Sequence, residues 1–186
     1  MQTDSTINET ISFNPATGEV IGRTPLNTIS DLKKMIEKAR QVQNSWAAIP
    51  IKIRIKYFKK VLRYMVDNAD ELAAVICRDN GKTRIDAMAT EVVAASLAVK
   101  YYCQRAEKFL KDKRLKRSSI LFINKRCLLK RVPYGVTGII SPWNYPFSIP
   151  FSEVITGLMS GNAVILKTAA ETLAAGKAMA GCFEAA

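Results

Sequence analysis

The chain has 186 residues, 48% of them apolar, and its 28 Lys and Arg against 16 Asp and Glu leave a net charge of +12. That length and apolar content exclude a disordered tail and fit one domain, or one and a fraction. No run of about eighteen apolar residues is present, which argues against a transmembrane helix. The absence of histidine removes Ser-His and Cys-His dyads and His-based zinc sites.

The opening MQTDSTINETIS is polar and has no apolar h-region. It reads as a chain without a secretory signal, and hence cytoplasmic. Asn14-Pro15-Ala16-Thr17-Gly18-Glu19, between Ile11 and Phe13 on one side and Val20 and Ile21 on the other, predicts a β-hairpin. Ser30 is the predicted cap of a helix whose Leu32, Met35, Ile36, Ala39, Val42 and Trp46 form one stripe. Ile51 to Tyr57 alternates like a strand. Ile51, Ile55, Phe58, Leu62, Met65 and Val66, behind Pro50, fit a helical face better. A further helix runs from Asp70 to Asn80, with Gly81 as its left-handed C-cap. Arg84 to about Leu110 predicts an alanine-rich helix carrying Val92, Val93, Leu97 and Tyr101. From Ser118 to Val132 the period breaks. The apolar runs Ile120–Ile123 and Cys127–Leu129, around Asn124-Lys125-Arg126, predict an antiparallel ribbon that needs a partner surface.

Positive charge concentrates on Lys52 to Arg63 and on Lys108 to Arg131, where only Asp112 opposes it. Such a patch attracts nucleic acid or acidic partners, but more often it is a solvated face. No aromatic residues interleave with the arginines as a stacking platform requires, so neither nucleic acid nor membrane is expected as a partner. Cys77, Cys103, Cys127 and Cys182 show no paired spacing, which excludes a metal knuckle or a CxxC pair and predicts reduced thiols. No metal ligands are assigned.

Gly135 to Ile140 predicts a short buried strand, β-branched at Val136, Thr137, Ile139 and Ile140. Pro142 and Pro146 make Ser141-Pro142-Trp143-Asn144-Tyr145-Pro146 a shaped loop. A helix with Phe151, Ile155, Leu158 and Met159 on one face comes next, and Gly161-Asn162 ends it. Ala163 to Leu166 predicts a second buried strand that terminates at Lys167. Strand, loop, helix, strand is a βαβ unit with parallel strands, so Asn144 and Lys167 emerge at carboxyl ends, where open α/β sheets bind ligands.

GVTGIISPWNYPFSIP followed by GNAVILK resembles the NAD(P)-dependent aldehyde dehydrogenase superfamily. The phrase NPATGE and the Asn80-Gly81-Lys82 turn are similar to that family too. The resemblance covers nearly all of this chain but only the first part of such an enzyme. It implies an α/β fold: helices, an incomplete parallel Rossmann-like sheet and a protruding β-ribbon. Residues 1–116 would be the hairpin and helical part of the cofactor-binding domain. Residues 117–133 would be the ribbon of a homo-oligomerisation region, and 134–186 the first βαβ unit.

A carbonyl oxygen that gains negative charge is stabilised by a preorganised N–H donor, a task that suits an asparagine held between prolines. An asparagine in a loop more commonly caps its own turn. The family's oxyanion asparagine occupies the place of Asn144. Lys167 could solubilise a strand end or donate to a cofactor ribose or phosphate. The resemblance implies the latter, with Ile140, Ser141, Pro142 and Trp143 lining the same cleft for NAD or NADP. Where the family continues with Pro, a small residue and Glu, this chain has Thr168-Ala169-Ala170. Ala170 therefore replaces the carboxylate expected to hold a ribose 2′-hydroxyl, and tolerance of a 2′-phosphate is expected in consequence.

The nucleophilic cysteine and general-base glutamate that the resemblance implies would lie outside this sequence. Cys127 has Lys125, Arg126, Lys130 and Arg131 nearby but sits in the ribbon, and Cys182 reads as core. The chain is thus expected to be an N-terminal fragment, inactive alone, of an enzyme that oxidises an aldehyde to an acid through a cysteine thioester. The alternatives are a truncated, non-catalytic relative acting as subunit partner or scaffold and, by charge alone, a nucleic-acid-binding module.

Overall fold

A computed structural model describes residues 9–116 and 119–186. The opening octet, and positions 117 and 118 where the ribbon was expected to begin, lie outside them. The hairpin forms as expected. β1 (Glu9–Phe13) pairs antiparallel with β2 (Val20–Pro25), and a bulge falls between Ser12 and Phe13.

α1 (Ile29–Ala48) starts ahead of the expected cap. Thr28, not Ser30, is the N-cap. Its hydroxyl accepts from the Asp31 amide (3.2 Å) while the Asp31 carboxylate accepts from the Thr28 amide (2.9 Å), a reciprocal capping box. These bonds, the backbone one first, hold the Asp31 carboxyl below its ordinary value. The predicted stripe reaches the core only at its end: Leu32, Met35 and Val42 are exposed, and Trp46 packs against Phe58. α1 instead docks through two polar donors, Gln43 Nε2 to Gly161 O (2.9 Å) and Trp46 Nε1 to Leu158 O (2.8 Å). Gly161 O lies just past the end of a later helix, where carbonyls run short of helical partners, and Leu158 O lies in that helix's last turn, where it also accepts the Gly161 amide at 3.0 Å.

α2 (Ile51–Asp67) is helical, with Pro50 in the N-cap position. Its buried face is Arg54, Ile55, Phe58, Val61 and Met65, so Val66, placed on that face from the sequence, is exposed. α3 (Ala69–Asn80) ends at Gly81 with φ +79, and a Cβ there would stand 2.8 Å from Pro15 in the hairpin turn. Glycine is needed twice over, for the left-handed backbone and for the seat of that turn.

The long helix expected over Arg84–Leu110 comes in three pieces. These are α4 (Arg84–Asp86), a π-helical stretch over Ala87–Val93, and α5 (Ala94–Leu110). The wider π turn shifts the phase of the residues after it. The buried face is Ala87, Glu91, Val92, Ala95, Val99 and Ala106, while Val93, Leu97 and Tyr101 lie on another face and are exposed.

The ribbon uses a different first strand. β3 (Lys113–Leu115) pairs with β4 (Cys127–Leu129), and Ile120–Phe122 is a 3-10 turn rather than a strand. A Lys-Arg-Leu strand carries no apolar alternation by which the sequence could mark it.

β5 (Val136–Ile140) and β6 (Ala163–Lys167) pair in parallel, Val136 with Ala163 through Ile140 with Lys167, joined by α6 (Ser148–Met159). The strands are half-buried rather than buried, since Ala163 is the one fully buried residue in either of them. Two strands leave outer edges uncovered. Gly161, at φ +95, closes the return from α6, and a Cβ there would come within 2.5 Å of Arg54 Nη1. α7 (Leu173–Glu184) ends the described chain. One core lies between α2, α3, α5, α6 and α7, built on Phe58, Met65, Ile76, Phe147, Phe151 and Met179. Phe151 stacks on Phe183 at 5.1 Å and tilts against Phe147 at the same distance. Among the described residues no helix is long and apolar enough to cross a membrane.

Candidate functional site

The parallel pair determines where the loop begins. The Ser141 amide donates to Lys167 O at 2.9 Å, extending the ladder one step past Ile140 and Lys167. The two strand ends therefore leave from one rim, with the loop on the first and Lys167 on the second. Ser141 is buried, whereas Ile140, Trp143 and Asn144 are exposed. Pro142 is half-buried.

The loop is gripped from below by residues to which the sequence assigns no role at the site. Asn80 Nδ2 donates to Trp143 O (2.8 Å), and Lys82 Nζ donates to Asn144 O (2.7 Å). The Lys82 ammonium also lies 3.9 Å from the centre of the Tyr145 ring and is ion-paired with Glu91. Glu91 is fully buried on the π-helical stretch. Its other oxygen accepts the amides of Ser148 (2.7 Å) and Phe147 (3.2 Å), the first turn of α6. α6 has no side-chain cap of its own, so Glu91 serves as one from another helix. Asn80-Gly81-Lys82 is legible in the sequence as a turn. Nothing in the spacing of Glu91 marks it as a partner of residues 56 and 57 positions away.

Asn144 does cap its own turn: its Oδ1 accepts from the Tyr145 amide at 3.1 Å. That bond occupies the amide oxygen, and among the described residues the NH₂ end of the exposed side chain makes no hydrogen bond. The capping use and the donor use are therefore compatible in one side chain.

Lys167 is exposed, and among the described residues its ammonium makes no hydrogen bond or ion pair. A cavity of about 420 Å³ reaches it, lined by Ile140, Gly138, Leu166 and, from α1, Leu32 and Met35. Ala170 is half-buried just beyond the strand and Glu171 is exposed, so no carboxylate stands at position 170. A larger apolar groove, about 750 Å³, runs between α1 and β6 and has Lys38 as its one titratable lining residue. It offers no chemistry. The four cysteines are unpaired. Cys127 is exposed on β4, and burial pushes the Cys182 thiol up to about 11, which makes it inert at neutral pH.

The model of the aldehyde dehydrogenase family matches residues 2–186. The chain is 31% identical over 172 residues to a 4,4′-diapolycopene aldehyde oxidase of Methylomonas sp., covering 92% of this chain and 32% of that protein. It is 33% identical over 172 residues to a D-glyceraldehyde dehydrogenase (NADP(+)) of Picrophilus torridus, covering 91% of this chain and 34% of that one. The crystal structure of a NAD-dependent benzaldehyde dehydrogenase from Corynebacterium glutamicum superposes with a TM-score of 0.86 at 26% identity, covering 99% of this chain and 39% of that structure. The chain thus spans about a third of the length of these relatives.

Proposed function

The chain belongs to the aldehyde dehydrogenase family, and on that premise we propose that it supplies one corner of the active site of an enzyme that oxidises an aldehyde to a carboxylic acid with NAD or NADP. In this reading the nucleophile and general base lie outside these 186 residues. The observation that carries it is the exposed Asn144 side chain, its oxygen tied to the Tyr145 amide and its NH₂ end without a hydrogen bond among the described residues, on a loop gripped by Asn80 and Lys82.

Asn144 donates a hydrogen bond to the aldehyde oxygen as it gains charge. Because the amide is already oriented, little reorganisation is needed when the charge develops. Lys167 suits a dinucleotide: an exposed ammonium at a strand end, beside a cavity and without a partner among the described residues, offers the donor that a ribose hydroxyl or phosphate oxygen needs. When bound there, the cofactor supplies the acceptor for the aldehyde's hydride. On the β5 side Ile140 borders the cavity, and Ser141, Pro142 and Trp143, which follow it in the loop, are not among the residues that line it. At Ala170 no carboxylate repels a 2′-phosphate, which supports use of NADP alongside NAD.

The β3–β4 ribbon, with Leu115, Leu128 and Leu129 exposed, is the surface we assign to subunit contact. Intact and native mass measurement of the natural protein, with NAD(P)H production followed over a panel of small aldehydes, tests the reading as a whole. A native monomer removes the ribbon's role, and a strong preference for NAD removes the inference from Ala170. Asn144→Ala is expected to lower kcat by about 10²–10³ while leaving the KM for cofactor within roughly twofold. Turnover within about threefold of wild type would remove Asn144 from the chemistry.

A further inference from the structure

We propose that Lys82 and Glu91 form a clamp that sets the conformation of the loop from Trp143 to Ser148, and so positions the Asn144 amide. The positioning role rests on the function assigned to Asn144 above; the clamp itself rests on geometry alone.

Lys82 is built into the site rather than left in water. Its side chain is only 17% exposed, and its ammonium meets the Glu91 carboxylate, the Asn144 carbonyl and the Tyr145 ring face. An ammonium has three protons, so its donors are fully used. Glu91 divides its two oxygens: one takes Lys82, and the other takes the amides of Phe147 and Ser148. One ion pair thereby holds the loop at both ends, at the backbone of Asn144 and at the first turn of α6.

Between those anchors the chain has little else. Pro146 has no N–H, and the Tyr145 amide is spent on the side chain of Asn144. Upstream, Trp143 O is fixed by Asn80. If the pair is removed, the backbone of Asn144 loses its direct anchor while β5 and α6 remain in place. Glu91 reaches this position from the seven-residue π-helical stretch, a geometry that re-aims side chains and is concentrated at functional sites. A pair serving only stability would need neither the Asn144 carbonyl nor the ring.

The test uses the protein at its natural length, with Lys82→Met, the near-isosteric Glu91→Gln, and Lys82→Arg as the conservative replacement. Lys82→Met and Glu91→Gln are each expected to lower kcat about 10- to 100-fold, with the KM for cofactor within about twofold, because the donor is displaced rather than removed. Lys82→Arg, whose guanidinium bridges two acceptors, should recover to within about fivefold of wild type. Hydrogen exchange at the Phe147 and Ser148 amides should quicken about tenfold or more in the first two variants, while amides in α2 keep their rates. Wild-type exchange and turnover in both Lys82→Met and Glu91→Gln overturn the clamp, and Asn144→Ala is then judged by its own kinetics. Faster exchange in Lys82→Met beside a fully active Asn144→Ala supports the clamp as a device that orders the loop, and it removes only the role of Asn144.

Discussion

Helices α6 and α7 each come after a strand of the parallel pair, and neither carries a side-chain cap of its own. Each takes a buried carboxylate from the helical layer instead: Glu91 at the amides of Phe147 and Ser148, Asp79 at the amide of Ala175. The two solutions differ in completeness. Glu91 has a lysine partner and two amides, whereas Asp79 has one well-formed bond, from the Ala175 amide, with the Ser12 hydroxyl and the Ala174 amide as weaker neighbours and no cation bonded to it among the described residues. Burial accordingly pushes the Asp79 carboxyl above its ordinary value, partly offset by the Ala175 amide, the Ser12 hydroxyl and the Ala174 amide. The same device is thus fully satisfied beside the loop that presents Asn144 and left incomplete one helix away.

Removing the complete cap should have the largest effect. Glu91→Leu leaves two buried amides and an ammonium without their acceptor, and unfolding in urea should show a loss of about 3–5 kcal/mol. A loss below about 1 kcal/mol would make the two carboxylates equivalent. The local cap of α1 supplies the scale between them. Thr28→Ala removes one exposed capping bond and should cost about 1 kcal/mol in the same measurement.

Asp79→Asn should have the smallest effect, within about 0.5 kcal/mol of wild type at neutral pH, because the amide oxygen still accepts from Ala175 and the buried charge is gone. The pH dependence is sharper. The folded protein holds the Asp79 proton more tightly than the unfolded chain, whose value is about 3.9. Its contribution is therefore fully present below about pH 4 and is lost as pH rises through the higher folded value. A series of melting temperatures should show Asp79→Asn gaining on wild type from about pH 4 upward. Parallel curves would assign the raised value to no group at this site.

The parts legible in the sequence are those written in apolar periodicity and in Pro or Gly. The hairpin, α2, α3 with its Gly81 cap, and the β5–α6–β6 unit follow from them, as does the loop held between Pro142 and Pro146. The illegible part is polar and distant. Arg54, Asp79 and Glu91 are buried, yet a charged residue in a helix reads as solvent-facing unless its partner is known. The π-helical stretch leaves no mark in composition, and of the apolar residues that follow Val92 the core takes Ala95 and Val99 rather than Val93, Leu97 and Tyr101. Ser30 and Thr28 are both competent caps, and the reciprocal bond with Asp31 is the contact that selects Thr28. At the site itself, Asn144 is visible through its motif, but the residues that hold it are not.

The borrowed caps also bear on the order in which the chain is made. In both helices the carboxylate lies upstream of the amides it receives, by 56 positions for Phe147 and 96 for Ala175. A chain synthesised from its amino end therefore presents each acceptor before the donors that need it. As α6 and then α7 emerge, their first turns meet a surface that already carries the missing oxygen.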